Sequence, residues 1–338
     1  MNFKVTFKSG KPDAPDRLIG SGQGPSTTTE GEHRHAPRRP SRTSFEGLTL
    51  ALPAALVLAP FVLVVVAGGV WVSLHAENLL KPGSGDAFVG LRNYVDAFGD
   101  TTLRDSVRVT VIYVVVAVGV ELALGTAIAM LMRRHFPTKG IARVLILIPM
   151  ILTPVVAGLT WRLLLDPTSG TANYLLGQLG LGSQHAFLAD PSTALLAVIM
   201  VDVWQNTPYV VIIVLAGLES LPHEPFEAAS VDGASGWRLQ AHITLPLLRP
   251  VLAIVLLLRV IDAVKTFALV ETMTKGGPGT STLAISNYVY RSGFQLFDVG
   301  YSTTLGLVTS VALVLLIFPF AKRLMPGTSA PTRGKARP

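Results

Sequence analysis

Six stretches of the chain are apolar almost throughout, and almost no amphipathic helix lies between them. They run from Leu48 to Leu74, Val107 to Met132, Ile141 to Leu165, Thr193 to Leu218, Val251 to Val270 and Thr303 to Leu324. Crossing the hydrocarbon of a bilayer takes about 20 predominantly apolar residues. Any one stretch would also suit a helix buried in a soluble core, but six in 338 residues make that alternative poor. The pattern predicts an all-α polytopic membrane protein with six transmembrane helices.

Composition agrees. Half the residues are hydrophobic and only 14% are charged, where a soluble domain carries about a quarter. Lys and Arg then orient the spans, since cytoplasmic loops hold the excess. The first tail carries Lys4, Lys8, Lys11, Arg17, Arg34, Arg38, Arg39 and Arg42. Arg133, Arg134, Lys139 and Arg143 follow the second span, Arg238 and Arg249 follow the fourth, and five more close the chain. The opposite loops are poorer, so both termini are expected on the cytoplasmic side. The formal charge of +7 is then a topology signal and an attraction to anionic lipid headgroups, and needs no nucleic-acid partner. Absence of cysteine excludes disulfides, thiolate metal sites and thiol chemistry.

Residues 1–44 are rich in Gly, Pro, Ser and Thr, with almost no apolar run after Phe7. Such a segment cannot bury enough surface to offset its ordering entropy, so a disordered cytoplasmic tail is expected. Residues 45–325 form the transmembrane domain, and 326–338 a flexible end.

The loop at about 219–249 is unusually patterned. From Glu227 to Pro246 it reads EAASVDGASGWRLQAHITLP. Pro222 and Pro225 end one helix and restart another, and Glu227 suits the positive end of the new helix. Ala228 and Ala229 favour helix and add no bulk, so a partner surface can approach closely. Asp232 shares the face of Ala228, and Gly233 ends the helix where φ > 0 comes cheaply. A second helix from about Ser235 to His242 leads through Ile243, Leu245 and Pro246 toward the fifth span. The expectation is a short helix–turn–helix that plugs into another protein. A lipid-surface helix would favour a basic face with bulky apolar residues opposite, and fits poorly.

The pattern E-A-A-x3-G-x9-I-x-L-P resembles, without a gap, the cytoplasmic signature of binding-protein-dependent ABC importer permeases. The sugar branch, whose model is the larger maltose permease subunit, is similar in WQNTPYVVIIVLAGLESLP before the motif and LLLRVIDAVKTFALVETMTKGGPGT after it. The resemblance covers about residues 48–325. It implies a type I importer permease architecture in a bacterial cell membrane, importing a disaccharide or oligosaccharide. It also implies that Glu227, Ala228, Ala229, Asp232, Gly233, Ile243, Leu245 and Pro246 dock into a groove of a dimeric ABC ATPase. The other partners implied are a second homologous permease subunit and an extracytoplasmic binding protein. No Gly-x4-Gly-Lys-Ser/Thr phosphate cradle occurs in the chain. ATP and Mg are therefore expected on the ATPase, with no catalytic residue, cofactor or metal here. The chain departs from the maltose subunit in having six spans and a short loop from Leu164 to Ser192.

Ionisable residues inside a span are costly and face the bundle interior or water. Arg259, Asp262 and Lys265 lie at i, i+3 and i+6 in the fifth span, and read equally as a pathway stripe or a packing pair. A near-cytoplasmic position favours gate or packing. Trp204, Gln205 and Asn206 in the fourth span offer hydrogen bonds and an aromatic face, as sugars require. Glu121 reads as an interhelical hydrogen-bond partner more than a proton carrier. Glycerol-phosphate-type cargo is the alternative within the class. A proton-coupled secondary transporter lies outside it, and shows neither inverted repeats nor a use for the motif.

Overall fold

The computed structural model describes residues 44–81, 83, 87–133, 137–180, 185–231, 233 and 236–324. Of the tail expected at 1–44, residues 1–43 lie outside the described residues, as do the expected end at 326–338 and Asp232, while Ser44 already opens a helix. Contacts divide the chain into residues 1–57 and 58–338. The described part of the first unit is the opening of helix α1 (Ser44–Ser73), which continues into the second.

The second unit is helical, and among the described residues the only β pairing is two isolated bridges, His75 with Phe88 and Asn78 with Asp298. After α1 come α2 (Arg92–Gly99), α3 (Thr101–Arg133), α4 (Lys139–Ile151), α5 (Pro154–Leu164), α6 (Thr171–Gln178) and α7 (Ala194–Glu219). The chain continues with α8 (Glu224–Val231), α9 (Gly236–Leu239), α10 (Leu245–Val264), α11 (Ala268–Met273), α12 (Ile285–Tyr290) and α13 (Val299–Leu324).

Among the described residues, four helices are long and apolar enough to cross a membrane: α1 over Leu56–Ser73, α3, α7, and α13 over Val299–Pro319. In α7, 56% of the window is buried against 6% in α1, which puts α7 at the centre and α1 outside. The expected third span is a bent pair, α4 and α5, meeting at 96°. Counting it as one span gives five. The cause is local. Pro154 has no N–H to continue α4 and holds Thr153 extended, with ψ 148°. Thr153 Oγ1 then caps α5 by accepting from the Val156 N–H at 3.4 Å.

The fifth expected span also differs. Helix α10 starts at Leu245, six residues before Val251, and stops at Val264, and α11 is separate. It is long enough, but it carries Arg249, Arg259 and Asp262. Leu245 and Pro246 do not end a helix. Gln240–Thr244 winds as a wider π turn that joins α9 to α10. Pro246 explains it, because in α geometry its ring would press on the His242 carbonyl, and a wider turn relieves that.

Small residues set the helix spacing. A Cβ on Gly125 of α3 would sit 2.6 Å from Val210 of α7, and one on Gly217 of α7 would sit 2.8 Å from Val251 of α10. Among the described elements, α3 and α7 share the most extensive contact. Gly125→Val is expected to force the two helices apart and cost about 1–3 kcal/mol, the usual penalty of overpacking. Thermal unfolding in detergent checks this, and an unchanged midpoint would refute the close-packing account.

At the other end, Asp100 joins α2, α12 and α13 by accepting hydrogen bonds from the hydroxyls of Tyr288 and Tyr301. Burial raises the Asp100 carboxyl pKa, but these bonds, with those from the Thr102 and Leu103 N–H groups, outweigh it and leave the pKa below its ordinary value.

Candidate functional site

Arg259 centres the polar interior. Its Nε and Nη2 donate to the two oxygens of Glu121 at 2.6 and 2.8 Å. Nη2 also donates to Asp202 at 3.1 Å, and Nη1 to Asp262 at 2.6 Å. One guanidinium thus gathers carboxylates from α3, α7 and its own helix. The Glu121 pair is bidentate, the geometry that a planar guanidinium favours. Arg259 is 2% and Glu121 0% exposed, whereas the Asp262 side chain is 68% exposed. The expected pairing of Arg259 with Asp262 is present. The partners 138 and 57 residues away in sequence are additional.

A cavity of about 380 Å³ opens above this cluster. Asp202, Gln205, Asn206, Asp262, Lys265 and Phe267 border it, with Leu152 and Pro154 from the bend in the wall. Asn206 donates to Asp202 Oδ1 at 2.8 Å, and Lys265 makes no ion pair among the described residues. Gln205 is 5% exposed and donates to the Leu152 carbonyl at 2.8 Å, satisfying a group that the break between α4 and α5 leaves without a helical partner. So the structure brings Gln205, Asn206, Asp262 and Lys265 to one cavity and places Arg259 beneath it.

Trp204 is elsewhere. It packs edge-to-face on Trp161, centroids 5.5 Å apart, against an apolar cluster. Arg259, Asp262 and Lys265 do not lie beside the motif either. Helix α10 leaves the motif segment at Leu245, so Arg259 lies about 20 Å further along the helix axis. Residues 259–265 therefore occupy the end remote from the motif.

The motif forms the first expected short helix, α8. The second, expected from about Ser235 to His242, is only the four-residue α9, which continues through the π turn into α10. Glu227 and Ala228 are exposed on α8, while Ala229 is buried. Arg133, at the end of α3, lies 4.7 Å over the Phe226 ring and ties α8 to the bundle. Gly233 takes φ +73°, the left-handed turn expected of it. Ile243, Leu245 and Pro246 are half-buried at the root of α10. Trp237, 76% exposed, was not singled out by sequence, because a single tryptophan in a loop carries no spacing signal.

A family model described as the binding-protein-dependent transport system inner membrane component matches residues 121–329. The chain belongs to this family. Among its relatives is a probable ABC transporter permease protein, y4oQ, of Sinorhizobium fredii, 39% identical over 82% of this chain and 89% of that one. The trehalose/maltose transport system permease protein MalF of Thermococcus litoralis is 34% identical over 82% and 92%. A bacterial ABC transporter involved in the import of the acidic polysaccharide alginate matches in fold, with TM-score 0.69 over 84% of this chain and 99% of that one at 19% identity. The fold is that of a type I ABC importer permease.

For a permease, three residues near the cavity matter that sequence reasoning left aside. Asp202, two residues before Trp204, was not among the residues chosen. Thr266 and Phe267 follow Lys265 where α10 stops, and only the break turns them inward. Glu121 was legible as an interhelical partner. Its counter-ion was legible in principle too, since a buried arginine among apolar helices calls for acids on its neighbours.

Proposed function

We propose that this chain is one of two permease subunits lining the pathway of an ATP-driven importer for a disaccharide or short oligosaccharide. The observation that carries this reading is the cavity between α7, α10 and the α4–α5 bend, bordered by Asn206, Asp262, Lys265 and Phe267. Hydroxyl partners beside an aromatic face suit a sugar, and few polar groups among apolar walls suit a ligand site. The trehalose/maltose permease relative points the same way. The second reading, glycerol-phosphate-type cargo, draws on Lys265 as a cation at the cavity border.

In this reading α10 is the fifth of six spans, with Arg259 and Asp262 joined in the ion-pair cluster, and both termini are cytoplasmic in a bacterial cell membrane. Exposed Glu227 and Ala228, with the Gly233 turn, dock on a dimeric ABC ATPase, which holds ATP and Mg. The motif loop joins α7 directly to α10, and both helices reach the cavity. Displacement of the loop therefore acts on the cavity walls without an intermediate element. A second permease subunit and an extracytoplasmic binding protein complete the assembly.

Co-purification of an ATPase and a second permease from native membranes, followed by uptake in proteoliposomes, tests this. Uptake of trehalose or maltose that needs ATP supports it, and transport without ATP would overturn it. Asn206→Ala should weaken apparent affinity about tenfold, the loss of a hydrogen bond or two at about 1 kcal/mol each. An unchanged KM removes Asn206 from the pathway.

A further inference from the structure

We propose that Phe267, Tyr290 and Phe294 form an aromatic track on which the pyranose rings of the cargo stack between the surface and the polar cavity. This deepens the saccharide reading of the cavity and rests on it. The three rings are consecutive. Phe267 and Tyr290 have centroids 4.9 Å apart, and Tyr290 stacks on Phe294 at 5.2 Å with 23° between planes. Phe267 borders the cavity, Tyr290 is half-buried, and Phe294 is 70% exposed. The series therefore runs from the open surface to the group of Asp262, Lys265 and Asn206.

The rings are not part of the packed interior. None belongs to the three buried apolar clusters, although their neighbours Tyr288 and Val289 do. Tyr288 is 8% exposed and spends its hydroxyl on Asp100. The Tyr290 hydroxyl has no hydrogen-bond partner among the described residues. One aromatic side chain of this segment therefore serves structure, and two stay available.

Their backbone is held firmly. Ser286 Oγ donates to the Val264 carbonyl at 3.2 Å, which pins α12 to the end of α10. Asn287 Nδ2 donates to the Phe267 carbonyl at 3.3 Å and to Glu271 at 3.1 Å. Ser302 Oγ donates to the Val289 carbonyl at 2.8 Å. A Cβ on Gly293 would lie 2.7 Å from Ser302 Oγ, so only glycine lets α13 support the turn that carries Phe294. A backbone fixed in advance lowers the ordering cost when a ligand stacks on the rings it carries.

A pyranose has hydroxyls around its rim and a C–H face on each side. The negative face of an aromatic ring attracts those C–H groups, without selecting one sugar. The spacing of the rings is comparable to the advance of one sugar unit along an oligosaccharide. A ring could thus pass from Phe294 to Phe267 and there exchange stacking for hydrogen bonds to the cavity residues.

The test uses the complete transporter, with its ATPase, second permease and binding protein, in proteoliposomes with labelled trehalose and maltose. Tyr290→Leu and Phe294→Leu should each lower sugar imported per ATP at least fivefold at saturating binding protein. Tyr290→Phe and Phe294→Tyr should stay within twofold of wild type, because they keep the ring. Leucine variants that import as well as wild type overturn the track. So do leucine variants that fail to assemble with the second permease, because the rings would then be interface residues. Wild type that imports neither sugar defeats the saccharide reading itself, and the track with it.

Discussion

Arg259→Met is expected to destabilise the permease by about 3–5 kcal/mol, the penalty for removing one partner of a buried ion pair. It leaves Glu121 fully buried and Asp202 nearly so, with no cation to share. Arg259→Lys should recover only part of the loss, because an ammonium cannot match both Glu121 oxygens and still reach Asp202 and Asp262. Adding Glu121→Gln to Arg259→Met should restore stability relative to Arg259→Met alone, since one of the stranded charges is gone. Thermal unfolding of wild type, Arg259→Met, Glu121→Gln and the double variant in one detergent reads the coupling as a double-mutant cycle. Additive losses would mean that the contact in the structure carries no net interaction.

Gly233→Pro is expected to cut ATP-driven uptake at least tenfold while protein yield and helix content stay at wild-type levels. Proline holds φ near −65°, and Gly233 needs +73°, so the turn between α8 and α9 must reform. A Cβ at this position meets nothing within 4 Å, which confines the damage to backbone direction. Gly233→Ala is the control. It adds only the left-handed strain of an L residue, about 1–2 kcal/mol, and should leave most of the uptake. ATP hydrolysis that continues in Gly233→Pro without uptake places the defect in coupling. Full uptake in Gly233→Pro would remove the turn from the docking surface.

These two positions were not equally legible in the sequence. Gly233 stands in a contiguous motif, and its role as a turn follows from spacing that any reader can check. The turn's positive φ is a local property that glycine supplies by itself. Arg259 was legible only as a costly residue in an apolar run. Its i+3 neighbour Asp262 was within reach of helical geometry, but Glu121 and Asp202 required the helices to be packed. The case of Gln205 is similar. Its polarity marked it as a pathway candidate, and the fold shows its amide nitrogen engaged at the Leu152 carbonyl in the break between α4 and α5.

The apolar runs, the motif loop and the glycines that let helices approach were determined by the sequence itself, because each depends on composition or on residues within a turn or two. The 96° bend was foreshadowed by Pro154 but not measurable from it, since a proline interrupts a helix without choosing the new direction. Tertiary structure alone decided that one guanidinium serves three carboxylates, that Trp204 packs away from the cavity, and that residues 259–265 lie far from the motif. Those outcomes depend on which helix faces come together. In a chain whose spans are apolar on nearly every side, hydrophobic patterning does not rank the faces, and close packing with buried polar pairing does.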